Sequence, residues 1–282
     1  MRILVVGLGL IGGSLCKAIK KYTDHTVIGQ NRTLSTAQTA LADGAIDEIY
    51  DGSSSADLVI ISLFPEASEK WLRDNAPSLN KNALVTEVCG IKGQFSHRLK
   101  QISESNGLRY IGIHPMAGKE FGGYPNSFAE LFQKANFIIT PFKDSAEEDI
   151  ETLRSFVNDI GAGKIVITSP EDHDKMIAYT SQLAHVVSNA YVKSPELALE
   201  CGFSGGSFQD MTRVATMNEN MWTDLFMQNR ENLLYEVETI IGNLEKYREA
   251  LKNGDADTMR RLIAEGRELK EENLRNRLGQ PN

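Results

Sequence analysis

Apolar and polar positions along the first 168 residues repeat one pattern, a short continuous apolar run followed by a longer amphipathic stretch. The first run, Arg2–Val6, has the length of one buried parallel strand, and Leu10–Lys21 has the periodicity of a helix. Further strands are predicted at His25–Gly29, Leu58–Ser62, Ala83–Val88, Leu108–Ile113, Phe137–Thr140 and Lys164–Thr168, with helices at Thr33–Leu41, Pro65 to Asp74, Gln94–Ser105 and Ala146–Ile160. This alternation predicts an α/β fold with a doubly wound parallel sheet of the Rossmann type.

The pattern becomes wholly helical from Ser169 onward, so we expect a first domain at 1–168 and an all-helical domain at 169–276. Ser169 offers a capping hydroxyl, Pro170 suits a first turn, and acidic residues follow at the positive end of the helix dipole. The helix that begins there is predicted to run to about Val192. The features expected after it are a flexible loop at Gly205–Arg213 that enters a new helix, helices from about Met221 to Lys252 and from Ala256 to about Arg275, and a disordered tail at 277–282.

The long predicted helix ending at Lys252 carries an apolar seam. Its members recur at three- and four-residue steps, with one position missed at Arg248; they are Leu234, Val237, Ile241, Leu244 and Leu251. A seam on a helix of this length is hard to cover within one small chain. We therefore expect a homodimer formed through the C-terminal helices.

Composition narrows the possible partners. The chain has 282 residues and a formal net charge of −8, with no basic run, which argues against nucleic acid or an anionic membrane as a partner. No apolar stretch reaches the length of a membrane span, and we expect no signal peptide. The three cysteines lack metal-ligand or C-x-x-C spacing, so we expect reduced thiols, a cytoplasmic protein and no metal site.

The turn between the first strand and helix reads Gly7-Leu8-Gly9-Leu10-Ile11-Gly12. In that context Gly7 permits a tight turn, Gly9 allows a pyrophosphate to approach the backbone, and Gly12 allows close packing of helix on strand. The unpaired amides at the start of the helix, around Leu10 and Ile11, would bind the phosphates. The first domain is therefore predicted to bind a nicotinamide dinucleotide.

The residues at the end of the second predicted strand indicate whether the cofactor is NAD or NADP. An NAD site places an acidic residue there to accept from the ribose 2′-hydroxyl, whereas this chain has Asn31, followed by Arg32 and Thr33. The alternative interpretation makes Arg32 a solvated charge and Thr33 a helix cap. We favour NADP, with NAD as the alternative. The next strand end, with Ser62, Leu63 and Pro65, is expected to complete the cofactor site, because ligands lie beyond the carboxyl ends of parallel strands.

His114 follows another predicted strand and is the first candidate for catalysis. An imidazole there would take a proton from a hydroxyl as hydride leaves the adjacent carbon; the alternative is a histidine that only holds the loop. In the helical domain, the spacing predicts one polar helix face made of Gln182, His185 and Asn189. Such a face is either a hydrogen-bonded network in the core or a wall that contacts a ligand. Trp222 is interpreted as a core residue, and Arg213 from composition alone as a surface charge.

Together these stretches resemble the prephenate/arogenate dehydrogenase family of tyrosine biosynthesis. The resemblance covers nearly the whole chain and rests on GLGLIGGS at 7–14, HPMAG at 114–118, SPEDHD at 169–174, QLAH at 182–185 and SFQDMTR at 207–213. It implies a nucleotide-binding domain, a helical dimerisation domain, and hydride transfer from a ring carbinol to nicotinamide with loss of the ring carboxylate.

By position, the resemblance makes His114 the catalytic base, Arg213 a ligand of a substrate carboxylate and His185 a contact of the substrate side chain. Two positions depart from the family pattern, Gly90 where many relatives carry serine and Gln182 where many carry histidine. Lys119 adds a cation after HPMAG, to pair with a substrate carboxylate or only with Glu120.

Four functions are compatible with these features. The favoured one is prephenate dehydrogenase, producing 4-hydroxyphenylpyruvate. Arogenate dehydrogenase on the same fold is the alternative, distinguished by an acidic partner for the substrate ammonium group. A reductase of imines or hydroxy acids with the same two-domain plan would not explain His114 together with Arg213. A non-catalytic dinucleotide sensor would require an output module, and none is recognisable.

Overall fold

The structure is a computed structural model that describes residues 1–53, 55–119 and 121–278. Its contacts divide the chain into two compact units, one formed by residues 1–229 and one that begins at Arg230. The first unit contains both β-sheets together with the helices up to residue 228. It therefore includes the first helices that the sequence pattern assigned to the second domain.

The central sheet of the first unit is parallel. Its described strands are β1 (Arg2–Val6), β2 (Thr26–Gln30), β3 (Glu48–Ile49), β4 (Leu58–Ile61), β5 (Leu84–Glu87) and β6 (Arg109–Tyr110). They lie in the order β3-β2-β1-β4-β5-β6. Strands β2 and β3 are added on one side of β1, and β4 to β6 are added on the other side. The order of strands therefore switches between β1 and β4, which is where a doubly wound sheet opens its ligand crevice. The predicted Rossmann-type fold is confirmed.

Helices cover both faces of this sheet. They are α1 (Leu10–Tyr22), α2 (Leu34–Ala42), α3 (Pro65–Asn75), α4 (Gly93–Ser105) and α5 (Glu147–Asp159). Ile3 and Val5 of β1 belong to the core that α1 and α5 share, whereas Leu4 and Val6 face the core formed with α3 and α4. Alternate residues of one strand thus enter opposite cores, which explains the continuous apolar runs seen in the sequence.

The predicted strand Leu108–Ile113 is wrong as a single element. The chain forms β6, bends at Ile111, and continues as β7 (Gly112–Pro115) in a second sheet with β8 (Phe137–Thr140) and β9 (Ile165–Ile167). Strand β7 pairs antiparallel with β8, with Gly112 opposite Thr140. A Cβ on Gly112 would lie 2.8 Å from Glu87 Oε1, so the absence of a side chain allows this bend to pack against β5. His114 is consequently a strand residue and not a loop residue.

Three helical predictions also change. The helix from Ser169 comprises α6 (Pro170–Ile177), a π-helical turn (Ala178–Gln182) and α7 (Leu183–Tyr191). Gln182 ends the π turn and is buried, whereas His185 lies in α7 and is only partly buried. The expected loop before Arg213 is instead α8 (Gly206–Thr212), and Arg213 starts a short 3₁₀ turn.

The predicted helix Met221–Lys252 is two helices, α9 (Glu219–Gln228) and α10 (Arg230–Lys252). Asn229 interrupts them because its buried amide donates to the carbonyl oxygen of Asp174 and to Gln182 Oε1. In the second unit, α10 is followed by α11 (Ala256–Leu278). Residues 277 and 278 of the predicted disordered tail are therefore helical, and residues 279–282 lie outside the described residues.

The α10 seam is exposed within its own unit. Leu234, Ile241, Leu244 and Leu251 have exposed fractions of 57%, 52%, 59% and 71%. Among the described residues, none of the helices has both the length and the apolar character to cross a membrane.

Candidate active site

The glycine turn after β1 has the geometry of a dinucleotide phosphate site. Gly7 has φ +93°, and a Cβ there would lie 2.3 Å from the carbonyl oxygen of Ser62. A Cβ on Gly12 would lie 1.9 Å from the Gly7 oxygen, whereas one on Gly9 would meet nothing within 4 Å. The turn is thus closed towards the sheet and open at Gly9, where Leu10 and Ile11 begin α1. These residues fit a pyrophosphate held on the backbone amides of a helix N-terminus.

The side chain of Asn31 braces this turn. Its Oδ1 accepts from the Leu8 amide at 3.0 Å, and its Nδ2 donates to the Thr33 carbonyl oxygen at 3.2 Å. Thr33 is the N-cap residue of α2, although its hydroxyl makes no capping bond. Arg32 is exposed and makes no hydrogen bond or ion pair with any residue that the structure describes. A cation thus directly follows Asn31, the residue expected to face the adenosine ribose in such folds.

The residues after β4 border the glycine turn. The Ser62 amide donates to the Val6 oxygen at 2.7 Å, which extends the sheet ladder by one residue. The Leu63 carbonyl oxygen accepts from Ser68 Oγ at 3.1 Å and from the Cys89 thiol at 3.3 Å. Pro65 is buried as the first residue of α3. Ser62 and Leu63, two of the strand-end positions predicted for the cofactor, therefore lie beside the phosphate turn, where a Cβ on Gly7 would come within 2.6 Å of both.

His114 is linked to α6 by a chain of two hydrogen bonds. Its Nδ1 lies 2.9 Å from His173 Nε2, and His173 Nδ1 lies 2.7 Å from Asp174 Oδ1. His173 is 1% and Asp174 5% exposed. His114 is only partly buried, and its Nε2 makes no hydrogen bond to a described residue. The ring is held from one side and available from the other, as a general base requires.

Burial determines the charge states of these three groups. Burial, together with the positive charges that His173 and Lys92 can carry, lowers the pKa of His114 well below its usual value. Burial and Lys92 lower the pKa of His173 to about 3. Burial raises the pKa of Asp174 to about 6. At neutral pH both imidazoles are neutral and Asp174 is a carboxylate.

A buried ion pair supports the backbone around His114. Lys92 Nζ donates to Glu87 Oε1 at 2.6 Å, to the Cys89 carbonyl oxygen at 2.9 Å and to the Ile113 carbonyl oxygen at 2.8 Å. Glu87 accepts in addition from the Cys89 amide at 2.6 Å and from Tyr110 Oη at 3.2 Å. Lys92 and Glu87 are both 0% exposed. The pair therefore ties the turn after β5 to the strand that carries His114.

Gly90 faces the free nitrogen of His114. A Cβ on Gly90 would lie 3.7 Å from His114 Nε2, an ordinary van der Waals distance. The turn that contains Gly90 thus forms one wall of the space at this nitrogen. The neighbouring Cys89 thiol has its pKa raised well above the usual value by burial and by the Glu87 charge, so it stays protonated.

His185 and Arg213 form a second group of predicted substrate contacts. His185 Nδ1 donates to the Ser181 carbonyl oxygen at 2.9 Å, and its ring stacks on Trp222 with centroids 3.7 Å apart. The Arg213 charge contributes to lowering the pKa of His185, after burial. The structure therefore brings Arg213 close enough to His185 to act on it electrostatically. Trp222, expected in the core, is the ring that orients this histidine.

The structure places Gln182 in the core and Lys119 at the surface. Gln182 is 1% exposed, its Oε1 accepts from Asn229 and its Nε2 donates to the Leu225 carbonyl oxygen. Both ends of its amide thus serve the packing of α9 against the π turn. Lys119 is exposed and lies over the Phe128 ring at 4.5 Å. Its alternative partner, Glu120, lies outside the described residues.

The sequence pattern does not single out His173 or Asp174, the two residues hydrogen-bonded in series to His114. They were visible only as part of the SPEDHD motif, whose first residues signalled a helix start. Nothing in their spacing from His114 indicated contact, because 59 residues separate the two histidines. Within the described residues no group of three or more His, Cys, Asp or Glu side chains is placed to hold a metal ion.

Two family models match the chain. The model described as prephenate dehydrogenase, nucleotide-binding domain, matches residues 15–166, and the one described as prephenate dehydrogenase, dimerization domain, matches residues 169–265. Among curated proteins, a cyclohexadienyl dehydrogenase of Zymomonas mobilis is 32% identical over 90% of both chains. A prephenate dehydrogenase of Bacillus subtilis is 30% identical over 95% of this chain and 75% of its own length.

Solved structures agree with these matches. The prephenate dehydrogenase of Aquifex aeolicus, solved with hydroxyphenyl propionate and NAD⁺, is 27% identical with a TM-score of 0.85 and covers 98% of both chains. The Synechocystis arogenate dehydrogenase is 27% identical with a TM-score of 0.83 over 96% of this chain and 99% of its own. With its nucleotide-binding fold, its dehydrogenase relatives and matches along most of its length, this chain belongs to the prephenate dehydrogenase family.

Proposed function

We propose that this protein is a prephenate dehydrogenase that oxidises and decarboxylates prephenate to 4-hydroxyphenylpyruvate in tyrosine biosynthesis. The observation that carries the proposal is His114 itself, a neutral imidazole bonded at Nδ1 to a buried histidine and open at Nε2. An imidazole open at Nε2, in a chain whose glycine turn fits a dinucleotide pyrophosphate, supports proton transfer coupled to hydride transfer. The names of the relatives support the same substrate class.

The chemistry needs one proton acceptor and an oriented dianion. A bound nicotinamide would supply the hydride acceptor. His114 Nε2 takes the proton of the ring hydroxyl while the carbinol carbon loses hydride. The bond to the ring carboxylate then breaks with release of CO₂, and its electron pair completes the aromatic ring. The oxygen that lost its proton regains it as the phenol, so His114 returns to its neutral form.

Arg213 and Lys119 are the proposed ligands of the substrate's negative charges. The whole protein carries a formal charge of −8, so an anionic substrate needs a locally positive site. Arg213 acts electrostatically on His185, and a guanidinium binds a carboxylate with two parallel hydrogen bonds. We assign Arg213 to the substrate carboxylate, His185 to the side chain, and Gly90 to the wall beside the reacting hydroxyl. Gln182 orders this region through Asn229.

NADP is the proposed cofactor, with NAD as the alternative. The Oδ1 of Asn31 is engaged by the Leu8 amide, and the sequence places no carboxylate at the end of β2 to accept from a ribose 2′-hydroxyl. The exposed Arg32, followed by Thr33, suits a 2′-phosphate. The complex of the Aquifex aeolicus protein contains NAD⁺, which supports the alternative.

We further propose a homodimer, with the exposed α10 seam as the interface. The domain description of the second family match and the exposure of Leu234, Ile241, Leu244 and Leu251 support it. Light scattering should give a mass near twice the 31.2 kDa of one chain.

We also propose a domain boundary between residues 168 and 169, because one family match ends at residue 166 and the next begins at residue 169. Three free cysteines support a cytoplasmic location.

Initial rates with prephenate or arogenate, each with NAD⁺ or NADP⁺, test the proposed function. We expect the highest kcat/KM for prephenate with NADP⁺. Faster turnover of arogenate would favour the alternative that the cyclohexadienyl and arogenate relatives suggest.

A variant of the proposed base tests the mechanism. His114→Asn should lower kcat by about 10²–10⁴-fold and leave NADP⁺ affinity unchanged. Turnover near the wild-type rate in that variant would refute the assignment of His114 as the base.

A further inference from the structure

We propose that His173 and Asp174 are positioning residues that hold the proton of His114 on Nδ1, so that Nε2 is kept as the proton acceptor. The observation is a continuous chain of two hydrogen bonds, 2.9 Å from His114 Nδ1 to His173 Nε2 and 2.7 Å from His173 Nδ1 to Asp174 Oδ1. The inference rests on the proposed function only for the group that His114 then deprotonates. The tautomer itself is a property of the free protein.

The direction of this chain follows from its last member. Asp174 Oδ1 also accepts from the Lys92 amide at 2.8 Å, and a carboxylate has no proton to donate. His173 must therefore donate through Nδ1. A neutral imidazole carries one proton, so His173 Nε2 is a bare acceptor, and the hydrogen between the two rings belongs to His114 Nδ1. Nε2 of His114 is thereby left unprotonated on the side that faces Gly90.

The charged groups around His114 are consistent with this state. From α6 it faces neutral His173 and, behind it, the Asp174 carboxylate. From the turn after β5 it faces Lys92, whose charge is paired with Glu87 and whose Nζ also donates to the Ile113 carbonyl oxygen. Lys92 disfavours protonation of His114. The carboxylate of Asp174, two hydrogen bonds away, favours it because opposite charges attract. Asp174 and His173 thus offset the opposing charge when the imidazolium forms during proton transfer.

This arrangement predicts the effect of removing the acceptor. In His173→Leu, His114 loses the partner of Nδ1, so both tautomers become populated and the imidazolium loses the neighbour that stabilises it. We expect kcat to fall about tenfold or more, with the KM for NADP⁺ unchanged. His173 has a pKa of about 3 and is neutral in the assay range, so its removal takes away only the acceptor of Nδ1. The pKa of His114 should therefore fall, and the acidic limb of the pH profile of kcat/KM should move to lower pH. His173→Gln offers a carbonyl oxygen to Nδ1 and should restore part of the rate.

The experiment combines these kinetics with nitrogen-15 NMR of the histidine rings in the full-length protein. The chain has five histidines, and the His114 signals are identified by their loss in His114→Asn. We expect a protonated Nδ1 and a bare Nε2 on His114 in the wild-type protein. His97→Gln is the matched control, because it removes another 2.7 Å contact between a histidine and a carboxylate, that of Glu171 on α6, at the surface. It should leave the rate and the pH profile unchanged.

Two results would overturn the inference. One is a wild-type His114 whose proton lies on Nε2; the other is a folded His173→Leu variant with the wild-type kcat and pH profile. Failure of the proposed function is a different result, namely an active His114→Asn variant. The NMR measurement stands whatever the substrate and whether or not His173→Leu folds, because it is made on the wild-type protein.

Discussion

The buried pair of Lys92 and Glu87 gives a stability prediction that the structure makes quantitative. In Lys92→Met, Glu87 stays at 0% exposure without its only cationic partner among the described residues, and two backbone carbonyl oxygens lose a donor. Removing one member of a buried pair typically costs about 3–5 kcal/mol of unfolding free energy. The folding equilibrium constant should therefore fall by about 10²–10⁴-fold.

Urea unfolding followed by tryptophan fluorescence measures this cost. Both tryptophans, Trp71 and Trp222, belong to the unit formed by residues 1–229, which also contains Lys92. The matched control is Lys70→Met, which breaks an exposed pair with Asp74 and should cost about 0–1 kcal/mol.

A double variant separates lost charge pairing from lost packing. Glu87→Gln combined with Lys92→Met leaves no unpaired buried charge at this position, so it should be more stable than Lys92→Met alone by about 1–2 kcal/mol. A single-variant loss equal to that of Lys70→Met would refute the reasoning. It would mean that the carboxylate of Glu87 finds water or another donor when Lys92 is removed.

Three further predictions address the site. Arg213→Ala should raise the KM for prephenate, because a charge-assisted hydrogen bond contributes roughly 1.5–3 kcal/mol, or about 10–150-fold; unchanged steady-state rates would return Arg213 to a surface role. Arg32→Ala should raise the KM for NADP⁺ about tenfold and leave that for NAD⁺ within about twofold, since only NADP⁺ carries the 2′-phosphate; equal changes for both cofactors would contradict the proposed contact. Gly90→Leu should fill the space at His114 Nε2 and lower kcat/KM at least about tenfold with unchanged NADP⁺ binding, while Gly90→Ser, whose Cβ lies at an ordinary 3.7 Å from Nε2, should fold normally; full activity of the leucine variant would show that substrate does not enter there.

The order of strands and helices along the first unit was determined by sequence pattern. Continuous apolar runs such as Leu58–Ile61 are strands because both faces of a central parallel strand are buried. The glycine turn could be interpreted residue by residue, since Gly7 and Gly12 act through local sterics that only a missing side chain satisfies. The resemblance carried by HPMAG and DMTR identified His114 and Arg213 but gave no geometry for them.

The tertiary structure decided the features that depend on contacts between distant segments. The bend at Ile111 forms because β7 pairs with β8, a non-local interaction that no local periodicity records. Gln182 could be interpreted from sequence as a core or a ligand-facing residue, and contact with Asn229 made it part of the core. The hydrogen bond between His114 and His173 exists only once α6 packs beside the end of β7. Sequence thus determined which elements form, because that depends on local periodicity and backbone sterics, whereas packing determined which nitrogen of His114 is free.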